Sequence, residues 1–239
     1  MKIKEITDSC ISTENNSEED ISIYIGETPR LTEKLSECFN LLNQEEQEQA
    51  LRFYHQEDKN TYILVHGLLR KILSERTNIE PNKLAFQKNQ NQKPELVDKS
   101  LHFNISHCKN ALAIAIFEKD IIGIDIEHNE RITEWEDISN HYFSDNELKW
   151  INENKVYDRN TLHYIIWTRK EAFLKGAGVG LINDLKGVDV SNELLSYKST
   201  PYINEIKTNF RIETVIYRNN IVSFAIPEKN HLNYSITIF

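Results

Sequence analysis

The strongest chemical signal in the sequence is Gly123-Ile124-Asp125-Ile126-Glu127. Side chains alternate along a strand, so Ile122, Ile124 and Ile126 share one face and Asp125 and Glu127 the other. Two carboxylates this close repel each other unless a cation lies between them, and an all-oxygen donor set suits a hard ion such as Mg²⁺. The plain alternative is a solvated strand face, the commoner fate of such a fragment taken alone. A second signal is Trp167-Thr168-Arg169-Lys170-Glu171-Ala172-Phe173-Leu174-Lys175. On a helix, Trp167, Glu171 and Lys175 fall along one stripe. That stripe either presents a carboxylate to a metal and an ammonium to a phosphate, or holds a surface ion pair worth about 0.5 kcal/mol or less. In Phe103-Asn104-Ile105-Ser106-His107 a strand runs into a polar turn where Ser106 and His107 can meet a phosphate. A lone histidine is as readily structural. Lys93-Pro94 sets a cation on a rigid turn.

These residues need elements to position them. The pattern predicts a short strand at the N-terminus and a polar loop through Asp20. Helical spacing runs from Leu31 to about Thr77, closed by Pro81, and Lys88 to Lys93 reads as a loop. Strand-like runs follow at His102–Ser106, Ala111–Phe117 and Ile121–Glu127. Hairpin turns are expected at Lys109-Asn110 and Glu118-Lys119-Asp120. Ser144 and Glu147 form a capping box for a helix over Ser144–Asn152. A longer helix spans Asp158–Lys175 and ends at Gly176, Gly178 and Gly180. Strands return at Arg211–Tyr217, Ile221–Ile226 and Tyr234–Phe239. At a constant offset of 110, Asn110, Ala115, Ile116, Glu118 and Lys119 recur as Asn220, Ala225, Ile226, Glu228 and Lys229. Either two hairpins share a composition or an α+β lobe is duplicated, with helices first and an antiparallel sheet after. Clefts between lobes favour ligands.

Composition bounds the rest. The 239 residues are 39% apolar, with ten Tyr, ten Phe and three Trp, which is globular composition. A formal charge of −9 argues against broad contact with nucleic acid. Cys10, Cys38 and Cys108 form no CxxC pair, which suits a reducing cytoplasm. No apolar h-region opens the chain, and no apolar run nears the roughly 20 residues of a membrane span.

In order and spacing, Asn104 to His107, Gly123 to Glu127 and Trp167 to Lys175 resemble the 4′-phosphopantetheinyl transferases, specifically the monomeric two-lobed surfactin type. Phe53-Tyr54-His55 with Glu57-Asp58, and Phe143-Ser144 with Glu147, also look like segments of that family. The resemblance covers about residues 45 to 180. It implies two similar α+β lobes, residues 1–120 and 121–239, with the metal residues in the second and the active site in the cleft between them. It implies transfer of phosphopantetheine from coenzyme A to a serine of an acyl or peptidyl carrier protein. Asp125, Glu127 and Glu171 would bind Mg²⁺, and Lys175 would steady the pyrophosphate. Lys93, Ser106 and His107 would contact the phosphates of the coenzyme, His107 the 3′-phosphate, with Pro94 beside them in its binding site. Glu171 would act as base.

The chain departs from that pattern in three places. Gln92 stands where the family often has Gly, Cys108 where Ser is common, and Glu45, Glu46 and Glu48 where relatives carry lysines. Arg52 and Lys59 are the substitutes at hand. Two other readings use the same residues: a metal-dependent nucleotide pyrophosphate hydrolase, and a carrier-binding protein without turnover. An acidic chain cannot draw an acidic carrier by net charge, so Ile132, Trp135, Ile138, Tyr142 and Phe143 either anchor a partner or pack this segment onto its own lobe, the first reading falling to Trp135 and the second to Phe143.

Overall fold

The computed structural model describes residues 1, 3–8, 21–130, 133–180, 185–192, 196–197, 209–229 and 233–239. The first half holds β1 (Ile3–Ile6), β2 (Ile21–Glu27), α1 (Leu35–Leu41), α2 (Gln44–Leu51), α3 (Gln56–Thr77), β3 (Phe86–Lys88), β4 (Pro94–Leu96), β5 (His102–Cys108) and β6 (Ala111–Phe117). The second holds β7 (Gly123–His128), α4 (Trp135–Tyr142), α5 (Asp145–Glu153), α6 (Arg159–Ala177), β8 (Val188–Asp189), β9 (Ser196–Tyr197), β10 (Phe210–Tyr217), β11 (Asn220–Pro227) and β12 (Tyr234–Ile238). Two four-stranded sheets, ordered β12-β2-β6-β5 and β1-β10-β11-β7, form the centre of this α+β fold.

The layers run helix, sheet, sheet, helix. On β6, Ala111, Ala113, Ala115 and Phe117 face the second sheet, while Leu112, Ile114 and Ile116 face α3. That two-sided burial explains why β6 reads as an unbroken apolar run. On β11, Val222, Phe224 and Ile226 face the first sheet, and Ile221 and Ala225 face α6. The offset of 110 places β6 on β11, and each half contains the unit strand, helices, hairpin: β2–α3–β5–β6 and β7–α6–β10–β11. The repeat is therefore a repeat of topology, with one strand ahead of its helices.

Two expectations change. Each sheet is mixed, because β1 joins β10 in parallel and β12 joins β2 in parallel. The strands at the two ends of the chain are thus exchanged between the halves. Glu118-Lys119-Asp120 is not a hairpin turn either: β6 and β7 lie in different sheets. Both strands carry an apolar face, and these faces stack across the inter-sheet core with Ile122, Ile124 and Ile126 inside it. Among the described residues, no helix is long and apolar enough to cross a membrane.

Candidate active site

With Ile122, Ile124 and Ile126 turned into the core, Gly123, Asp125 and Glu127 face α6. A Cβ on Gly123 would lie 2.0 Å from the Ala172 carbonyl oxygen and 2.2 Å from the Gly176 nitrogen. Only glycine lets strand and helix approach this closely. The rotation of α6 is fixed from behind. Thr168, Arg169 and Lys170 are buried there. Thr168 Oγ1 lies 2.8 Å from Ser223 Oγ, and Arg169 donates to the Val190 carbonyl at 2.8 Å. Lys170 Nζ lies 2.9 Å from Glu147 Oε1 and donates to the Leu185 carbonyl at 3.0 Å. Glu147 also caps α5, its Oε2 accepting from Ser144 N at 2.7 Å. The capping box expected at Ser144 therefore serves as an anchor for α6 as well.

So held, α6 turns Glu171 and Lys175 to the seam where β5 and β7, edge strands of different sheets, run side by side. Asn104 Oδ1 accepts from Ile124 N at 2.8 Å, a side chain standing where a neighbouring strand's carbonyl would be. Lys175 Nζ donates to Asp125 Oδ1 at 2.6 Å and to Ser106 Oγ at 2.9 Å. Ser106 Oγ in turn donates to Asp125 Oδ1 at 2.8 Å. Asp125 Oδ2 and Glu171 Oε1 are buried without a hydrogen-bond partner. Burial, then the charge of Asp125, holds the Glu171 carboxyl above the usual carboxylate range. Each such orphan costs about 1–3 kcal/mol, more when charged.

A cation removes that cost, and all-oxygen donors suit Mg²⁺. Among the described residues no three His, Cys, Asp or Glu side chains close on one point. The structure brings together Asp125 and Glu171, and Glu127 follows on the same face of β7. Mg²⁺ keeps waters and phosphate oxygens among its ligands, so a few carboxylates fit it where a closed structural Zn²⁺ site would need more.

Beside this cluster lies a cavity of about 360 Å³ lined by Lys93, Pro94, Asn104, Ile105, Glu171 and Lys175, among others. Lys93 spans the halves. Its Nζ donates to the Ile122 carbonyl at 2.9 Å and the Lys175 carbonyl at 2.7 Å. Burial pulls it down to about 8. Asn91 Nδ2 donates to the Gly178 carbonyl, so this loop closes the C-terminal end of α6. Gln92, at φ 65°, takes the left-handed turn that glycine makes without strain. His107 lies one residue before the end of β5, with burial pulling its ring below the ordinary histidine range. The charges of Lys175 and Asp58 both act on it.

Sequence reasoning missed the anchoring roles of Lys170, Arg169 and Asn104. All three lie inside the quoted motifs, but their types do not say which way they point. Trp135 is corrected: it packs on its own half. Its Nε1 donates to Asn160 Oδ1 at 2.7 Å, and its ring meets Tyr164 edge-on at 4.7 Å and stacks on His163 at 5.3 Å. Ile132 lies outside the described residues.

A lysine beside two buried, partnerless carboxylate oxygens, in a cleft between two repeated units, is an arrangement able to stabilise charge on a phosphate. Residues 121–225 match the model of the 4′-phosphopantetheinyl transferase superfamily, and residues 28–118 that of a 4′-phosphopantetheinyl transferase N-terminal region. The chain is 32% identical over 160 residues to 4′-phosphopantetheinyl transferase ffp of Bacillus subtilis, covering 66% of this chain and 70% of that one. It is 30% identical over 160 residues, with the same coverage, to 4′-phosphopantetheinyl transferase Sfp of Bacillus subtilis strain 168. It is 33% identical over 148 residues to 4′-phosphopantetheinyl transferase gsp of Aneurinibacillus migulanus, covering 60% of each chain. The chain belongs to the 4′-phosphopantetheinyl transferase superfamily.

Proposed function

We propose that this enzyme moves the 4′-phosphopantetheine arm of coenzyme A onto a serine of an apo acyl or peptidyl carrier protein, in the cleft lined by Asp125, Glu171 and Lys175. The observation that carries this reading is the pair of buried, partnerless oxygens, Asp125 Oδ2 and Glu171 Oε1, beside the Lys175 ammonium. Asp125, Glu127 and Glu171 are the residues to hold Mg²⁺. When bound, the ion supplies charge stabilisation to the pyrophosphate oxygens.

The chain's own groups do the rest. Lys175 neutralises charge growing on the pyrophosphate, and Ser106 orients both Lys175 and Asp125. Lys93 and Pro94 wall the cavity, and His107 reaches the 3′-phosphate. The carrier hydroxyl attacks the β-phosphorus. A new O–P bond forms, the bridging P–O bond breaks, and 3′,5′-ADP leaves with the electron pair. Glu171 takes the hydroxyl proton, directly or through a water. A cleft completed by the two halves of one chain supports a monomer.

The test is apo carrier protein with coenzyme A and Mg²⁺, followed by intact mass. A carrier heavier by phosphopantetheine supports transfer. Free phosphopantetheine indicates the hydrolase reading, and neither product indicates a carrier-binding protein. A panel of fatty-acid, polyketide and peptide carriers identifies the partner.

A further inference from the structure

Asn104 lines the cavity beside Lys175, although only 4% of the residue is exposed. The two ends of its amide can be told apart. The Ile124 nitrogen can only donate, so the atom 2.8 Å from it is the Asn104 oxygen. Nδ2 is then the other end, and among the described residues it meets no acceptor. A buried amide donor is normally paired. Here the cavity is where a partner can reach it.

The neighbouring groups define that partner. Lys175 gives two of its three donors to Asp125 and Ser106. Lys93 gives two of its three to the carbonyls of Ile122 and Lys175. Both lysines line this cavity, and Glu171 is the one acid among the described residues that line it. Two ammonium groups and a neutral amide donor suit an anion with several oxygens. Asn104 and Ser106 lie two residues apart on one face of β5, so about 7 Å separates them along the strand. Ser106 Oγ is itself 2.9 Å from Lys175 Nζ. A diphosphate held by Lys175 therefore extends to Asn104.

We propose that Asn104 contacts the donor substrate, its Nδ2 donating to a pyrophosphate oxygen of coenzyme A. The inference rests on the transfer reading above. Ile124 fixes the orientation of the amide, so Nδ2 meets the charge that grows on the pyrophosphate without having to move. The same side chain holds β7 through Oδ1 and the substrate through Nδ2, which ties the ligand to the seam between the sheets.

The experiment measures the Kd of coenzyme A by calorimetry, in the full chain with Mg²⁺ and no carrier protein, beside the urea midpoint. Asn104→Ala removes both ends of the amide and adds no charge. Its midpoint should fall, because Ile124 N loses its acceptor. Its Kd should rise about tenfold or more, because a donor to a charged group is gone. Asn104→Asp keeps an acceptor for Ile124 N and puts an anion in place of the donor. Its midpoint should recover at least in part, while its Kd stays raised as far or further. In wild type, the Asn104 side-chain amide, assigned by NMR through its backbone connectivities, should exchange with water about tenfold more slowly once coenzyme A is bound. That measurement needs no variant and decides alone if neither variant folds. A folded Asn104→Ala protein with a Kd within about threefold of wild type, or an amide whose exchange coenzyme A leaves unchanged, overturns the assignment. If wild type makes holo-carrier and Asn104→Ala binds coenzyme A as well as wild type, this inference alone falls. If wild type binds coenzyme A and protects the amide but makes no holo-carrier, the transfer reading falls and the contact stands.

Discussion

Two lysine–carboxylate pairs on α6, five residues apart, make opposite use of the same chemistry. Lys170 and Glu147 are both fully buried, and their remaining polar atoms meet carbonyls and backbone nitrogens. Lys175 and Asp125 are as close, at 2.6 Å, yet the lysine is 30% exposed and one carboxylate oxygen has no partner. The satisfied pair holds the helix and the unsatisfied pair faces the cleft. Unmet hydrogen-bonding capacity, more than the presence of charge, separates the site from the scaffold.

Lys170→Met tests the scaffold side most severely. It strands Glu147 in the core and should lower unfolding free energy by about 3–5 kcal/mol, read as a shifted urea midpoint. Asp125→Ala should do the reverse. Its unfolding midpoint stays near wild type, because a partnerless oxygen is removed along with the contacts. Its transfer rate at saturating Mg²⁺ falls about a hundredfold or more. A folded Asp125→Ala enzyme of near wild-type rate would erase the distinction between the pairs.

Lys93 sharpens the comparison, since its two partners are carbonyls and no carboxylate. Burial then prevails, and native Lys93 titrates near 8. An unfolded lysine titrates near 10.5, so between those values the unfolded chain binds more protons. Stability relative to Lys93→Met should therefore rise between pH 8 and 10.5, by about 3 kcal/mol. A flat difference curve would show that the two carbonyls offset the burial of the Lys93 ammonium. The smallest effect belongs to the same loop. Gln92→Gly relieves a left-handed backbone and should stabilise by about 1 kcal/mol or less, seen as a slightly higher Tm with unchanged turnover.

Much of this was legible in the sequence because strand and helix periods report which face is apolar. Ile122, Ile124 and Ile126 went into the core, which left Asp125 and Glu127 on the α6 side, and the offset of 110 marked the two equivalent strands β6 and β11. Periodicity does not say what covers a face. The Glu118–Asp120 segment therefore read as a hairpin although its strands stack from different sheets. Trp135 read as an anchor for a partner although Tyr164 and His163 already cover it. Lys93 read as a cation on a rigid turn, and nothing in that pattern told that its ammonium bridges two carbonyls supplied from 29 and 82 residues away. Nor could composition reveal that Gly123 is fixed by two backbone atoms of α6. Those contacts are long-range, and each residue's type is compatible with several of them.

The exchange of end strands has a consequence for how the molecule comes into being. Ile3 is registered against Thr214, and Tyr234 against Ile21. During synthesis β1 has no partner until β10, about 200 residues later, has left the ribosome, and the sheet of the first half is completed only when β12 follows. The half made first is thus finished last, and a nascent chain carries open sheet edges until β12 is made. Such late, distant closure slows folding and exposes pairing edges to other chains.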